Sequence, residues 1–156
     1  MNIQTVVEIP KGGRLKYEIN SDGNIVLDRA LASGLSFPAN YGFIINTLAC
    51  DNDALDVLIL TDYPICVKCH VRCRPIGVLI MTDEKGLDEK ILAVPSHDVD
   101  MSYGSITDIH HISSRVLDEI KMFFETYKVI DNNKWTKVEG FYDAKHAEKL
   151  IEKYSC

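Results

Sequence analysis

No uninterrupted apolar run in the chain approaches the roughly 20 residues that span a bilayer as a helix; even Ile76 to Met81 stops at Thr82-Asp83-Glu84. A helical membrane anchor is therefore not expected. The opening segment Met1 to Thr5 enters an apolar stretch that Glu8, Pro10 and Lys11 interrupt at once. It lacks the apolar core and cleavage pattern of an export signal, so a soluble, cytoplasmic protein is expected. Basic surplus is also missing: 17 lysines and arginines face 23 aspartates and glutamates, a formal charge of -6. Such a chain has little with which to displace counterions from a nucleic-acid backbone. It can still hold an anion through local cations or bound metal. Repeats, low-complexity tracts and linkers are absent as well, and 156 residues with 46% hydrophobic content suit one domain, 1–156, whose core needs no staples. The five cysteines (Cys50, Cys66, Cys69, Cys73 and Cys156) are odd in number and read as thiols rather than as a disulfide framework.

What the chain does have, first, is alternation. In Arg14-Leu15-Lys16-Tyr17-Glu18-Ile19-Asn20, Leu15, Tyr17 and Ile19 share one face and Lys16 and Glu18 the other, which predicts a half-buried strand. Ser21-Asp22-Gly23-Asn24 reads as a turn, and Ile25-Val26-Leu27 as the return of a hairpin carrying Arg29 at its far end. Further strands are predicted at Thr5 to Ile9, Leu55 to Leu60, Val67 to Met81 with a break at Pro75, Ile91 to Val94 and Thr136 to Val138. Helical spacing comes late, in Val116, Leu117, Ile120, Phe123, Phe124 and Tyr127, with Ser113 or Ser114 as the N-cap. A second helix is predicted from Asp143, with Ala147, Leu150, Ile151 and Tyr154 as its buried stripe. Many short strands followed by two helices predict a mainly β, α+β fold, a small OB-like β-barrel with both helices packed outside.

The first chemical signal is Asp51-Asn52-Asp53-Ala54-Leu55-Asp56, three carboxylates at the mouth of the strand Val57 to Leu60. A sheet holds such side chains firmly while leaving them open to a ligand. Close carboxylates repel one another unless a cation sits among them. An EF-hand loop is excluded, because it needs glycine sixth and glutamate twelfth where this chain has Asp56 and Asp62. A solvated acidic turn is the competing reading and the commoner fate of such a run. The balance shifts with Thr82-Asp83-Glu84-Lys85-Gly86-Leu87-Asp88-Glu89-Lys90, a second acidic cluster at the end of a strand. Glu8 and Glu18 add carboxylates within strands. Hard oxygen donors without histidine or thiolate suit magnesium, or manganese, better than zinc. The companion cations Lys16, Arg29, Lys90 and Lys128 point to a phosphate ester or anhydride as the substrate.

Taken together, these residues closely resemble the family I soluble inorganic pyrophosphatases. The matching segments are Glu8-Ile9-Pro10, Lys16-Tyr17-Glu18, Asp28-Arg29, Asn40-Tyr41-Gly42, Asp51 to Asp56, Arg74 to Leu79, Met81 to Glu84, Ala93-Val94-Pro95, Phe123 to Lys128 and Lys134-Trp135. They follow the family's order over nearly the whole chain. The resemblance implies that Asp51, Asp56 and Asp88 hold one metal, with Asp56 also reaching a second. Glu8 and Asp83 would assist metals arriving with substrate, with Glu84 and Glu18 as supporting carboxylates. Lys16, Arg29, Tyr127 and Lys128 would hold the phosphates, helped by Tyr41 and Lys90, and Asp53 would accept the proton of the attacking water. A homo-oligomer, commonly a hexamer among bacterial members, is also implied. Two residues depart from the family pattern. Ala54 stands where proline is usual, which is expected to loosen the acidic loop, and Phe37 replaces an aromatic hydroxyl, at the expected cost of one polar contact.

Other signals mislead. Cys66-Val67-Lys68-Cys69-His70 matches a haem-attachment pattern, and Cys73 extends it toward a zinc-like cluster. A continuous strand there would set Cys69 and Cys73 on one face and Cys66 and His70 on the other, so small strand side chains are the expected reading. The five histidines show no metalloprotease spacing, His110-His111 reads as a loop or helix approach, and Trp135 as packing. The competing functions are a non-catalytic β-barrel module binding phosphate, nucleotide, oligosaccharide or nucleic acid, and a metal-dependent nucleotide pyrophosphohydrolase. The doubled carboxylate clusters and the absence of a basic aromatic face or a base-stacking signal count against both.

Overall fold

Strand β1 (Ile3–Ile9) shows the alternating burial of a half-buried strand over its first residues, and the computed structural model, which describes residues 1–156, gives it two antiparallel neighbours. These are β4 (Asn40–Ile44) and β6 (His70–Asp83). With β5 (Asp56–Ile59), β7 (Gly86–Pro95) and β8 (Thr136–Asp143), they form one sheet in the order β1-β4-β5-β7-β6-β8. Because β1 also pairs with β6, five strands close into a barrel-like ring and β8 extends it. The β5–β7 pair is parallel and the other pairs are antiparallel. Strands β2 (Leu15–Ile19) and β3 (Ile25–Ala30) form a separate two-stranded hairpin.

The two faces of the ring bury different cores. Every ring strand contributes to one cluster, for example Val7, Ile44, Val57, Val78 and Ile91, and helix α2 (Ala144–Tyr154) adds Ala147, Leu150, Ile151 and Tyr154. The opposite faces of β5, β6 and β7 supply Leu58, Leu79, Met81 and Leu92 to a second cluster under helix α1 (Ser114–Thr126), which contributes Ile120, Phe123 and Phe124. Both helices start on an N-cap. Ser113 accepts from the Val116 amide and Asp143 from the His146 amide, so each satisfies a free donor of the first turn.

Several boundaries differ from the sequence expectation. Strand β4 was not predicted; the glycine in its middle masks it, yet a methyl at Gly42 would stand 1.8 Å from the Val6 carbonyl oxygen. The residue is there for close strand approach. Strand β6 begins at His70 rather than Val67 and passes unbroken through Pro75, where the register shifts between Pro75 and Gly77. A bulge accommodates the missing amide. Residues 66–69 instead form a turn, closed by the Cys69 amide on the Cys66 carbonyl with Lys68 at φ 73°. Of the clustered cysteines only Cys73 is a buried strand residue. The second acidic segment begins at the end of β6, as expected, at Asp83, but it turns tightly there and returns as a strand, with Asp88, Glu89 and Lys90 inside β7. Strand β8 runs on to Asp143, and Trp135, expected as packing, is 52% exposed. His110 and His111 close a short 3-10 helix, as a helix approach should. No helix is long and apolar enough to cross a membrane.

Candidate active site

All the site residues expected from the sequence, except Glu84, line one cavity of about 450 Å³ on the outer side of the ring. Seven carboxylates (Glu8, Glu18, Asp51, Asp53, Asp56, Asp83 and Asp88) share it with five cations, Lys16, Arg29, Lys85, Lys90 and Lys128. Neither histidine nor cysteine lines it. Lys85 was not singled out from sequence. Its signal was its position in the turn two residues after Asp83.

Strand geometry sets each side chain. On β7 the alternation that buries Leu92 under α1 also turns Asp88 and Lys90 to the cavity. Asp56 opens β5 and pairs in register with Lys90. Glu8 is the extra residue of a β-bulge, since Val7 pairs with Gly42 and Ile9 with Tyr41, and bulges re-aim a side chain in this way. Helix α1 ends at Thr126, and its C-cap Tyr127 and the following Lys128 line the cavity. Asp51 and Asp53 lie on the loop before β5. There Asn52 takes a left-handed φ of 66°, which asparagine tolerates, and the Asp53 amide donates to Asp51 Oδ1 at 3.0 Å.

Lys90 is the electrostatic centre. It is 2% exposed, and its Nζ donates to Tyr41 Oη at 2.8 Å and Asp56 Oδ2 at 3.0 Å, with both Asp88 oxygens at 3.1 and 3.2 Å. The rings of Tyr41 and Phe124 flank it at 5.0 and 5.3 Å. Burial alone would lower its pKa, but Asp56, Tyr41 and Asp88 outweigh that and hold it well above the ordinary lysine value. Burial pushes the Tyr41 phenol up, as it does Asp88 and Tyr127. Lys128 Nζ donates to Asp83 Oδ2 at 3.1 Å and reaches Glu84 Oε1 at 3.5 Å, while the Lys85 amide occupies the other Asp83 oxygen. Burial would raise Asp83, but the Lys85 amide and Lys128 prevail, and its pKa falls below the usual carboxylate range. Burial first, and then the charge of Asp56, pushes Glu8 up to about 7.

The opposite wall is the β2–β3 hairpin. Lys16 and Arg29 stand directly across from each other, an arrangement of like charges that costs stability unless anions offset it. Asp28, the extra residue of a bulge, lies 3.7 Å from Lys16 and 3.9 Å from Arg29, and Glu18 lies 3.6 Å from Lys16. Arg29 Nε is nevertheless buried without a hydrogen-bond partner. A buried guanidinium donor is costly to leave unpaired, so this atom fits a ligand oxygen such as that of a phosphate.

No three of the acidic side chains stand close enough together to form a preassembled metal cage. Lys90 separates Asp56 from Asp88. The donor set still suits magnesium, which takes a few carboxylates directly, keeps waters and leaves positions for phosphate oxygens. Glu84 stays behind the cavity and links Lys128 to the Trp135 amide, 3.4 Å away. Phe37 is buried in an aromatic cluster, 4.6 Å from Phe123 and 5.2 Å from Tyr41 between ring centres.

Residues 5–155 match the family described as inorganic pyrophosphatase. The inorganic pyrophosphatase of Campylobacter jejuni is 51% identical over 152 residues, covering 97% of this chain and 88% of that one. That of Helicobacter pylori strain J99 is 44% identical over 149 residues, 95% of this chain and 86% of the relative. Among solved structures, a Helicobacter pylori inorganic pyrophosphatase superposes with a TM-score of 0.96 at 42% identity, over 98% of this chain and 91% of the other. The Thermus thermophilus enzyme gives 0.93 at 41%, over 97% and 87%. In sequence and in fold, then, the chain belongs to the inorganic pyrophosphatase family.

Proposed function

We propose that the protein hydrolyses inorganic pyrophosphate to two phosphates, with Asp53 as proton acceptor for the attacking water and magnesium, or manganese in its stead, as cofactor. The observation that carries this reading is the joining of unlike charges in one cavity. Carboxylates of the ring and its loop share it with Lys16 and Arg29 of the hairpin, where Arg29 Nε stands buried without a partner.

Asp51, Asp56 and Asp88 would hold a first metal, with Asp56 also available to a second, and Glu8 and Asp83 would assist metals that accompany substrate. Metal bound there supplies neutralisation of the pyrophosphate charge and a more acidic water. Asp53, exposed on its loop, takes the water's proton. Lys16, Arg29 and Lys128, with the hydroxyls of Tyr41 and Tyr127, hold the phosphate oxygens and align the leaving phosphate for in-line displacement. Lys90, paired with Asp56 and Asp88, restrains both side chains and is a further contact for phosphate. Glu18 and Glu84 hold Lys16 and Lys128 in position. The same reading makes the protein cytoplasmic and a homohexamer, with exposed apolar side chains such as Met101 and Val129 available for burial between subunits.

Purified protein with magnesium should release phosphate rapidly from pyrophosphate and little from nucleoside triphosphates. A metal-loaded protein that leaves pyrophosphate intact would sink the reading. Asp53→Asn should lower kcat by about 10²–10⁴ with little change in metal affinity, whereas Asp56→Asn should impair both. Full activity in both variants would show that the roles are misassigned.

A further inference from the structure

Strand β7 carries two functions on its two faces. Asp88 and Lys90 turn to the cavity, so Glu89 between them points the other way, toward the ring's inner cluster. A half-buried carboxylate needs a partner, and Glu89 finds it at the end of α2, where Tyr154 Oη donates to Glu89 Oε1 at 2.8 Å. The Tyr154 ring is buried in the inner cluster. The same hydroxyl lies 3.1 Å from Cys50 Sγ. A phenol has one proton to give, and Glu89 receives it, so the thiol is the donor to the phenol oxygen. The result is a short chain running from Cys50 through Tyr154 to Glu89.

Cys50 immediately precedes Asp51, and Glu89 immediately follows Asp88. Asp56 and Asp88 belong to neighbouring strands paired in register, which sets their separation. Asp51 has no such restraint, because it lies outside the sheet. The end of α2 supplies one. The Leu48 amide donates to the Tyr154 carbonyl at 2.8 Å, and Ser155 bridges to Thr47. From its backbone and its hydroxyl together, Tyr154 grips the loop just before Asp51 and the strand just after Asp88.

We infer that Tyr154 is a positioning residue for the metal ligands: its hydroxyl, acting through Cys50 and Glu89, sets Asp51 against Asp88 and so raises affinity for a divalent cation. The inference rests on the assignment of Asp51 and Asp88 to one metal. Partners that stand behind metal ligands typically contribute about 10–100-fold in affinity.

The test is binding of Mn²⁺ alone to chelator-stripped protein, followed by electron paramagnetic resonance without pyrophosphate. Tyr154→Phe keeps the ring, and its affinity should fall about 10-fold. The magnesium concentration that half-saturates hydrolysis should rise by a similar factor, with the loss falling there rather than on kcat. Glu89→Gln, which retains an acceptor for the phenol, should bind nearly as the parent, and Glu89→Leu should behave as Tyr154→Phe does. Unchanged Mn²⁺ affinity in Tyr154→Phe overturns the inference. So does equal loss in Glu89→Gln and Glu89→Leu, which would make Glu89 a matter of charge alone. Asp51→Asn, measured in parallel, separates the two levels. If it binds Mn²⁺ normally, the ligand assignment and the inference both fall; if it is weakened while Tyr154→Phe is not, only the inference falls.

Discussion

Burial sets the charge of Glu8. In the folded protein its pKa is pushed up to about 7 from an ordinary 4.5, by burial and then by Asp56. A carboxyl raised in this sense takes up a proton on folding between those two values. Its contribution to stability is full below about 4.5 and is lost as pH rises through about 7. Glu8→Gln should therefore leave the metal-free protein's Tm equal to the parent's near pH 4.5. At pH 8 it should raise Tm by about 2–4 °C, the equivalent of ~1 kcal/mol in a chain of this length. Thermal scans of both proteins in chelator across that range check it, and a variant less stable than the parent at pH 8 would contradict it. Metal bound at Glu8, as proposed, would reverse the preference, because a ligand carboxylate must be deprotonated.

Among the elements, the acidic loop before β5 carries a departure from the family pattern. Ala54 is expected to loosen it, and the bonds that tie the loop come from other residues. The Ala49 amide donates to the Asp53 carbonyl at 2.8 Å, the Asn52 amide to the Ala49 carbonyl at 3.0 Å, and the Leu55 amide to Thr47 Oγ1 at 2.9 Å. The Ala54 amide donates to no protein group, so proline would remove no hydrogen bond there. Ala54→Pro should stabilise the protein by about 0.4–1 kcal/mol by restricting the unfolded chain, visible as a higher urea midpoint at constant slope. Loss of stability would mean that the loop needs the freedom alanine gives it. What could be read in advance follows the same logic of local signals. Strand β2 and helices with capped apolar stripes, such as α1, were legible as elements because their own residues define them, although Leu15, expected on the buried face of β2, is exposed. Strand β4 was not, since Gly42 answers to Val6 across the sheet, and the bulges at Glu8 and Pro75 exist only through their partners. The candidate site was legible as residue types near one another in sequence. Its division into a ring wall and a hairpin wall, the central place of Lys90 and the grip of Tyr154 were not, because each joins segments distant along the chain.

At the scale of the whole molecule, lysines pair with the acidic side chains of the cavity, and the proposed metal would add its binding energy to the folded state. Any species that binds only the folded form stabilises it by mass action, about 2.7 kcal/mol at a hundredfold excess over Kd. Magnesium alone should thus raise Tm progressively by several degrees, at ~2–4 °C per kcal/mol, and chelator should return it to the starting value. A Tm indifferent to magnesium would argue against a divalent site in the cavity. One further property follows from the position of Trp135. It is the chain's single tryptophan and half exposed, and its backbone amide holds Glu84, whose other oxygen holds Lys128 at the cavity edge. An anion that draws Lys128 away from Glu84 would loosen the Trp135 backbone contact, so the chain's single tryptophan is expected to act as a native reporter of anion binding, and a phosphate titration of the unlabelled protein followed by emission checks this.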